Sequence, residues 1–249
     1  MSDSKKNIVI KGAQSEEAKI QSEEAKILAI ETSTSACSVA LRSHGEVHVL
    51  TEVGNNLHSQ KVLPQIQTLL REASWQVQDL EAVAIGHGPG SFTGLRIGVG
   101  VAQGISYGAA CPMLGVSSLA ALAMSSQQDG DIKVAIDARM GEIYYAHFNK
   151  QLNQLQLIGK EVVCAPKSLQ YSAAEELIGN GWGEYWHELD TRFSANFACP
   201  DLRYPSAREV LLLAEQDFTA QKFVDPKVFA PVYVRNDVAK KPINKVTNS

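Results

Sequence analysis

The chain has 249 residues, 45% of them hydrophobic and 20% charged, an ordinary globular balance with length for one large domain or two small lobes. Its formal net charge of −4 excludes a protein that holds nucleic acid by itself, because phosphate contacts need clustered Lys and Arg to release counterions. Any RNA connection must then run through a partner. No run of about 18 apolar residues offers a membrane span, and the first residues lack the apolar stretch of a signal peptide, so a cytoplasmic location is expected. Cys37, Cys111, Cys164 and Cys199 form no CxxC pair and read as buried reduced thiols rather than zinc ligands or disulfides.

Residues 1–26 are mostly polar and carry QSEEAKI twice in tandem, at Gln14–Ile20 and Gln21–Ile27; they read as a disordered leader or tag-like extension. From Ile27, ILAIE, CSVALRS and EVHVLTE predict three antiparallel strands, the last two joined tightly through His44 and Gly45. Val62, Leu63, Ile66, Leu69, Leu70 and Ala73 recur at helical spacing and predict an amphipathic helix from His58. LEAVAIG is a buried strand ending in the glycine-rich loop Gly86–Gly94; a small-residue helix to Gly108, a strand at Met113–Val116 and an apolar helix from Ser117 follow. After a break at Gln127–Asp131, IKVAID and GEIYYAHF predict further strands, with weaker signals to Leu177 and an amphipathic stretch near Ala207–Asp217. The order βββαβαβα, then a reduced second copy, defines an α/β chain with an N-terminal lobe at 27–128 and a reduced C-terminal lobe with tail at 129–249. It resembles the duplicated ribonuclease H-like lobes of the actin, hexokinase and sugar-kinase superfamily.

Four segments narrow that resemblance: ILAIETSTSACSVAL (Ile27–Leu41), HSQKVLPQIQTLL (His58–Leu70), AIGHGPGSFTGLRIGVGVAQG (Ala84–Gly104) and AIDARMGEIYYA (Ala135–Ala146). Together with GNGW at Gly179–Trp182 and PVYVRNDVA at Pro231–Ala239, they resemble the TsaB (YeaZ) family over essentially the whole folded chain. The resemblance implies a non-catalytic scaffold and activator that dimerises with a TsaD-type subunit, which transfers a threonylcarbamoyl group to the adenosine beside the anticodon of tRNA. It implies a TsaE-type ATPase as a further partner; the acidic balance leaves tRNA to be bound only through the complex, and a self-complementary helix pair would make a homodimer when the chain is alone. No cofactor is expected on the chain alone, with ATP or ADP at the complex interface left open. The competing reading is a small ATP-dependent kinase or hydrolase of the same fold.

The residues bear on that choice. Glu31, Thr32 and Ser33, with Gly88, Gly90, Ser91 and Thr93, could present hydroxyls and backbone N–H groups to an anion. The alternative is that they bond to their own backbone, as Ser and Thr do in turns. GHGPGSFTG lacks the Gly-Lys-Ser/Thr ending of a Walker loop. At the second phosphate turn of the superfamily, Arg139 and Met140 replace consecutive glycines and obstruct close backbone approach. Where the resemblance to TsaD-type enzymes places two metal-binding histidines, the chain has Ser118 and Leu122, so no metal and no catalytic residue are expected. His44 and His48 share the spacing but flank a hairpin turn, where i and i+4 do not converge.

Glycines punctuate the helix after the loop, each costing about 1 kcal/mol of propensity relative to Ala. Gly94, Gly98, Ala102 and Ser106 form one stripe and Gly100, Gly104 and Gly108 another. The expectation is that the first stripe meets a partner, with His58, Gln60, Lys61 and Arg96 alongside, and the second meets the sheet. Gly98→Leu should then leave the monomer folded and Gly104→Leu should unfold it. The alternative is that both stripes pack internally.

Overall fold

The computed structural model describes residues 25–152, 154–169, 176–189, 199–200 and 202–235. Almost all of the expected leader and the last residues of the tail lie outside these. Strand β1 (Ile27–Glu31) is buried along its length, because it is the centre of a five-stranded sheet ordered β3-β2-β1-β4-β5. β2 (Ala36–Ser43) and β3 (Glu46–Val53) complete an antiparallel meander. β4 (Ala82–Gly86) and β5 (Met113–Val116) run parallel to β1. The β2–β3 turn holds His44 at φ 54° and Gly45 at φ 80°, the two-residue geometry that matches strand twist.

Among the described residues the α-helices are α1 (His58–Glu72), α2 (Phe92–Ala109), α3 (Ser118–Met124), α4 (Asn180–Tyr185) and α5 (Ala207–Thr219). Sheet residues alternate by size. Leu28, Ile30, Val39, Leu41, Val83 and Ile85 project into one core with Val62, Ile66 and Leu69 of α1 and Val99 and Ala102 of α2. The intervening Ala29, Ala40, Ala82 and Ala84 form a shallow opposite face on which α5 lays Val210, Leu211 and Ala214. Both faces are covered, which is why the strands read as continuous apolar runs.

The second sheet is ordered β8-β7-β6-β9, with β6 (Gly130–Arg139), β7 (Glu142–Gln151), β8 (Gln154–Cys164) and β9 (Glu176–Ile178). α3 joins the two layers: Ala121 belongs to the α5 core, while Leu119, Leu122 and Ala123 pack with Ile132, Val134, Ile136 and Phe148. On the other face, Trp182 and Tyr185 of α4 meet Ala135 and Ile143. Trp182 Nε1 donates to Ile178 O at 3.1 Å.

One boundary needs correction. α5, expected within the C-terminal lobe, returns to the first sheet. Ala207 N donates to Ser38 Oγ at 3.1 Å, and Arg42 of β2 holds Glu215 of α5 through Nε–Oε1 at 2.7 Å and Nη2–Oε2 at 3.0 Å. The physical reason is the alanine face of the first sheet, which would otherwise lie open to water. Beyond α5 the chain also crosses the molecule. Val224 bridges Met113, Gln103 Nε2 donates to Pro226 O at 2.7 Å, Val232 N donates to His87 O at 2.8 Å, and Arg235 pairs with Glu142 of the second sheet.

Candidate functional site

The β1–β2 turn and the loop into α2 are built against each other. Ser91 N donates to Ser33 O at 2.6 Å, Thr32 Oγ1 donates to Gly94 O at 2.9 Å, and Ser91 Oγ caps α2 by accepting from Gly94 N. A Cβ at Gly90 would collide with Ser33 O, at Gly94 with Thr32 O, and at Gly98 with Thr32 Oγ1. Gly90 and Gly94 let two backbone segments touch, and Gly98 leaves room for the Thr32 side chain. Glu31 lies beneath them, fully enclosed, its Oε1 accepting from Ser33 N at 2.6 Å and its Oε2 from Ser118 Oγ at 2.9 Å. Burial pushes its carboxyl above the usual carboxylate range, against the pull of those hydrogen bonds. The β1–β2 turn and the loop residues Gly90–Gly94 therefore come together, but Ser33 N is spent on the Glu31 carboxylate, Ser91 N on the Ser33 carbonyl and the Thr32 hydroxyl on the Gly94 carbonyl.

Ser118 and Leu122 are both fully buried. Leu122 packs in the α3 core and Ser118 serves Glu31. Among the described residues, no group of three or more His, Cys, Asp or Glu side chains gathers as a metal site. Across from the turn, the β6–β7 connection holds Arg139 and Met140 at φ 61° and 60°. Asp137 there accepts from Arg139 N at 2.7 Å and from Tyr185 OH at 2.8 Å. Burial, then Asp137 as neighbour, pushes the Tyr185 phenol up to about 12. Between these two turns, the start of α1, Asn180 and the strap Val232–Arg235 lies a cleft of about 520 Å³.

The second candidate surface is the outer side of α1 and α2, which pack against each other. Here the stripe assignment is reversed. Gly94, Gly98 and Ala102 are buried against the chain's own turn and sheet, so their place in a partner surface is withdrawn. His58, 7% exposed, also points inward, its Nε2 bonded to Thr34 O at 2.7 Å. Gln60 and Arg96 are exposed. Lys61 is half-buried and pairs with Glu52 at 2.8 Å. Gly100 and Gly104 have nothing within 4 Å of an added Cβ.

Sequence reasoning missed the outward residues Leu63, Phe92, Tyr107 and Tyr233, exposed at 48%, 50%, 53% and 43%. Arg96 stacks over Phe92 at 3.9 Å and donates to Tyr233 OH at 3.3 Å. A signal was present: at helical spacing Gly100, Gly104 and Gly108 share their side with Arg96, Gln103 and Tyr107, whereas Gly94 and Gly98 share theirs with Leu95, Val99 and Ala102.

Comparison with known proteins agrees with this architecture. The profile of the family described as TsaD, tRNA N6-adenosine threonylcarbamoyltransferase, matches residues 47–242. The tRNA threonylcarbamoyladenosine biosynthesis protein TsaB of Escherichia coli K12 is 37% identical over 225 residues, covering 87% of this chain and 97% of that protein. The protein of the same name from Haemophilus influenzae is 34% identical, with 87% and 96% covered. Among solved structures, YeaZ from Pseudomonas aeruginosa superposes with a TM-score of 0.77 at 36% identity, covering 84% of this chain and 99% of that one.

Proposed function

Since the chain belongs to the TsaB family, with the actin-like fold that this family shares with TsaD, we propose that it is the non-catalytic partner of a TsaD-type subunit in making threonylcarbamoyladenosine on tRNA. The observation that carries this reading is the outer face of α2. Gly100 and Gly104 each cost about 1 kcal/mol of helix propensity, and nothing among the described residues occupies the space beside them. Close approach of a second backbone is the compensation that such positions allow. Half-buried Ile97, Val101 and Ile105 line the same helix, and Tyr107 and Leu63 add exposed apolar area. A related helix pair from TsaD, or from a second copy of this chain, fits that surface.

On this reading the chain supplies shape rather than chemistry. Ser118 and Leu122 occupy the helix positions where TsaD-type enzymes carry metal-binding histidines, and both are sealed in the core. The chain would hold its partner in an active arrangement, with a TsaE-type ATPase joining the pair, tRNA recruited by the complex and the whole acting in the cytoplasm. Reconstitution tests it. TsaD-type subunit, TsaE-type ATPase, threonylcarbamoyl-adenylate and tRNA should yield modified adenosine only when this chain is added. Modification by this chain without the TsaD-type subunit, or at full rate without this chain, would overturn the proposal.

A further inference from the structure

Arg96 stands on the outer face of α2, and its neighbours fix the guanidinium in place. Its Cζ lies 3.9 Å from the centroid of the Phe92 ring, and its Nε donates to Tyr233 OH at 3.3 Å. Phe92 and Tyr233 also meet each other, with ring centroids 5.7 Å apart. Tyr233 follows Val232, whose N–H is held by His87 O at 2.8 Å. The two terminal nitrogens of Arg96, Nη1 and Nη2, have no partner among the described residues. An arginine held by its Nε and its face keeps a fork of two parallel N–H donors, the geometry that grips a carboxylate through two hydrogen bonds. With the fork already ordered, association immobilises less side chain than a freely rotating arginine would require.

Arg96 and Gly100 lie one turn apart on the same side of α2, about 6 Å along its axis. A backbone that approaches Gly100 therefore brings its side chains to the cluster of Phe92, Arg96 and Tyr233. Arginine with exposed aromatic neighbours is the composition that carries binding energy at protein interfaces, and Phe92 and Tyr233 are exposed at 50% and 43%. α1 and α2 contain one carboxylate between them, Glu72. Lys61 is paired with Glu52, while Arg71 is exposed toward the far end of α1. The face is thus poor in anions, although the chain as a whole carries a net charge of −4. A second copy would set arginines against a face of the same sign, whereas a carboxylate on a different protein is attracted. A nucleic acid suits the face less, because two arginines are few for a polyanion that an acidic chain repels. Resting on the partnership proposed above, we propose that Arg96 is the charged anchor of this face. It takes an Asp or Glu side chain of the TsaD-type subunit through Nη1 and Nη2, and so favours that subunit over a second copy of the chain.

Affinity of the full chain for the TsaD-type subunit is measured from about 50 to about 500 mM sodium chloride. At low salt Arg96→Gln should weaken the complex about fivefold and flatten its salt dependence. Arg96→Lys should recover less than about half of that loss, because an ammonium has no fork. Arg96→Glu should weaken binding at least about 30-fold, and Asp→Arg or Glu→Arg at one position of the subunit's docking helices should restore at least about tenfold. All three variants should melt like the parent, since Arg96 is exposed. Self-association of the chain alone, followed by sedimentation, should be unchanged or strengthened by Arg96→Gln. Weaker self-association in both Arg96→Gln and Glu72→Gln would assign the fork to Glu72 of a second copy and overturn the proposal. Salt-independent binding, no restoring position, or normal subunit affinity with loss of tRNA from the assembled complex would also overturn it. No binding by the parent chain at any salt would remove the partnership itself, whereas equal binding by parent and variants would remove only the anchor.

Discussion

The two sides of α2 use the same residue for opposite ends. On the inner side, Gly94 and Gly98 are glycine because the β1–β2 turn occupies the place of their side chains. On the outer side, an added Cβ at Gly100 or Gly104 meets nothing within 4 Å among the described residues. The first pair is required by the chain's own packing, and the second is the pair that the proposed function assigns to a partner. A small-residue stripe is therefore uninformative until its companions are read. The inner pair travels with Leu95 and Val99, both buried, while the outer pair travels with Arg96 and Tyr107.

The largest effect expected lies on the inner side. Gly94→Leu forces a side chain onto the Thr32 carbonyl, a backbone atom that cannot swing away, and should cost about 3 kcal/mol or more, or prevent folding. Chemical denaturation measures it, and an unchanged midpoint would erase the distinction between the two sides. Gly104→Leu should do the reverse. With nothing in its way, it should raise stability by up to about 1 kcal/mol through helix propensity. Affinity for the TsaD-type partner should fall at least about 100-fold, because a bulky side chain now stands where two backbones meet. Retained binding with a retained melt would place the interface elsewhere. Arg96→Ala is gentler: it removes the stack on Phe92 and the bond to Tyr233. Titration calorimetry should show association weakened by about 1 kcal/mol, with stability moving by less than about 0.5 kcal/mol. A large fall in melting temperature would instead make Arg96 part of the fold.

The order of elements through α3 could be read from the sequence because each signal was local. Ala alternating with Val and Ile in β4, the His44–Gly45 turn and the spacing of Val62, Ile66 and Leu69 each report on a few neighbouring residues. What could not be read depended on residues far apart in the chain. Nothing near Val210 says that it packs beside Ala29 and Ala84, and nothing near Gly94 says that Thr32 lies against it. The site divides in the same way. That Ser118 and Leu122 are not metal-ligand residue types is visible in the sequence, whereas the inward turn of His58 follows from its bond to Thr34, and the cleft from the strap Val232–Arg235 that lines it.

The smallest effect concerns what lies under the inner side. Glu31 is enclosed by the turn, Gly86 and Ser118, and burial raises its folded-state pKa above the ordinary 4.5. Between 4.5 and that raised value the folded chain keeps a proton that the unfolded chain has released, so this group lowers stability as pH rises through the window. Above the folded value the penalty is constant; below 4.5 it vanishes. Glu31→Gln removes the titration while keeping the shape. Its carbonyl can accept from Ser33 N, and its amide can donate to the Ser118 hydroxyl, which reverses its role. The stability of the variant relative to the parent should therefore increase across the window and then level off, as followed by urea unfolding of both chains at stepped pH. Other titrating groups are common to both chains and cancel in the difference. Parallel curves would mean that the carboxyl is not buried in solution, and a relative loss with rising pH would mean that its hydrogen bonds outweigh its desolvation. Only the first outcome would show that the inner side of α2 is packed less tightly than the collisions at Gly90, Gly94 and Gly98 require.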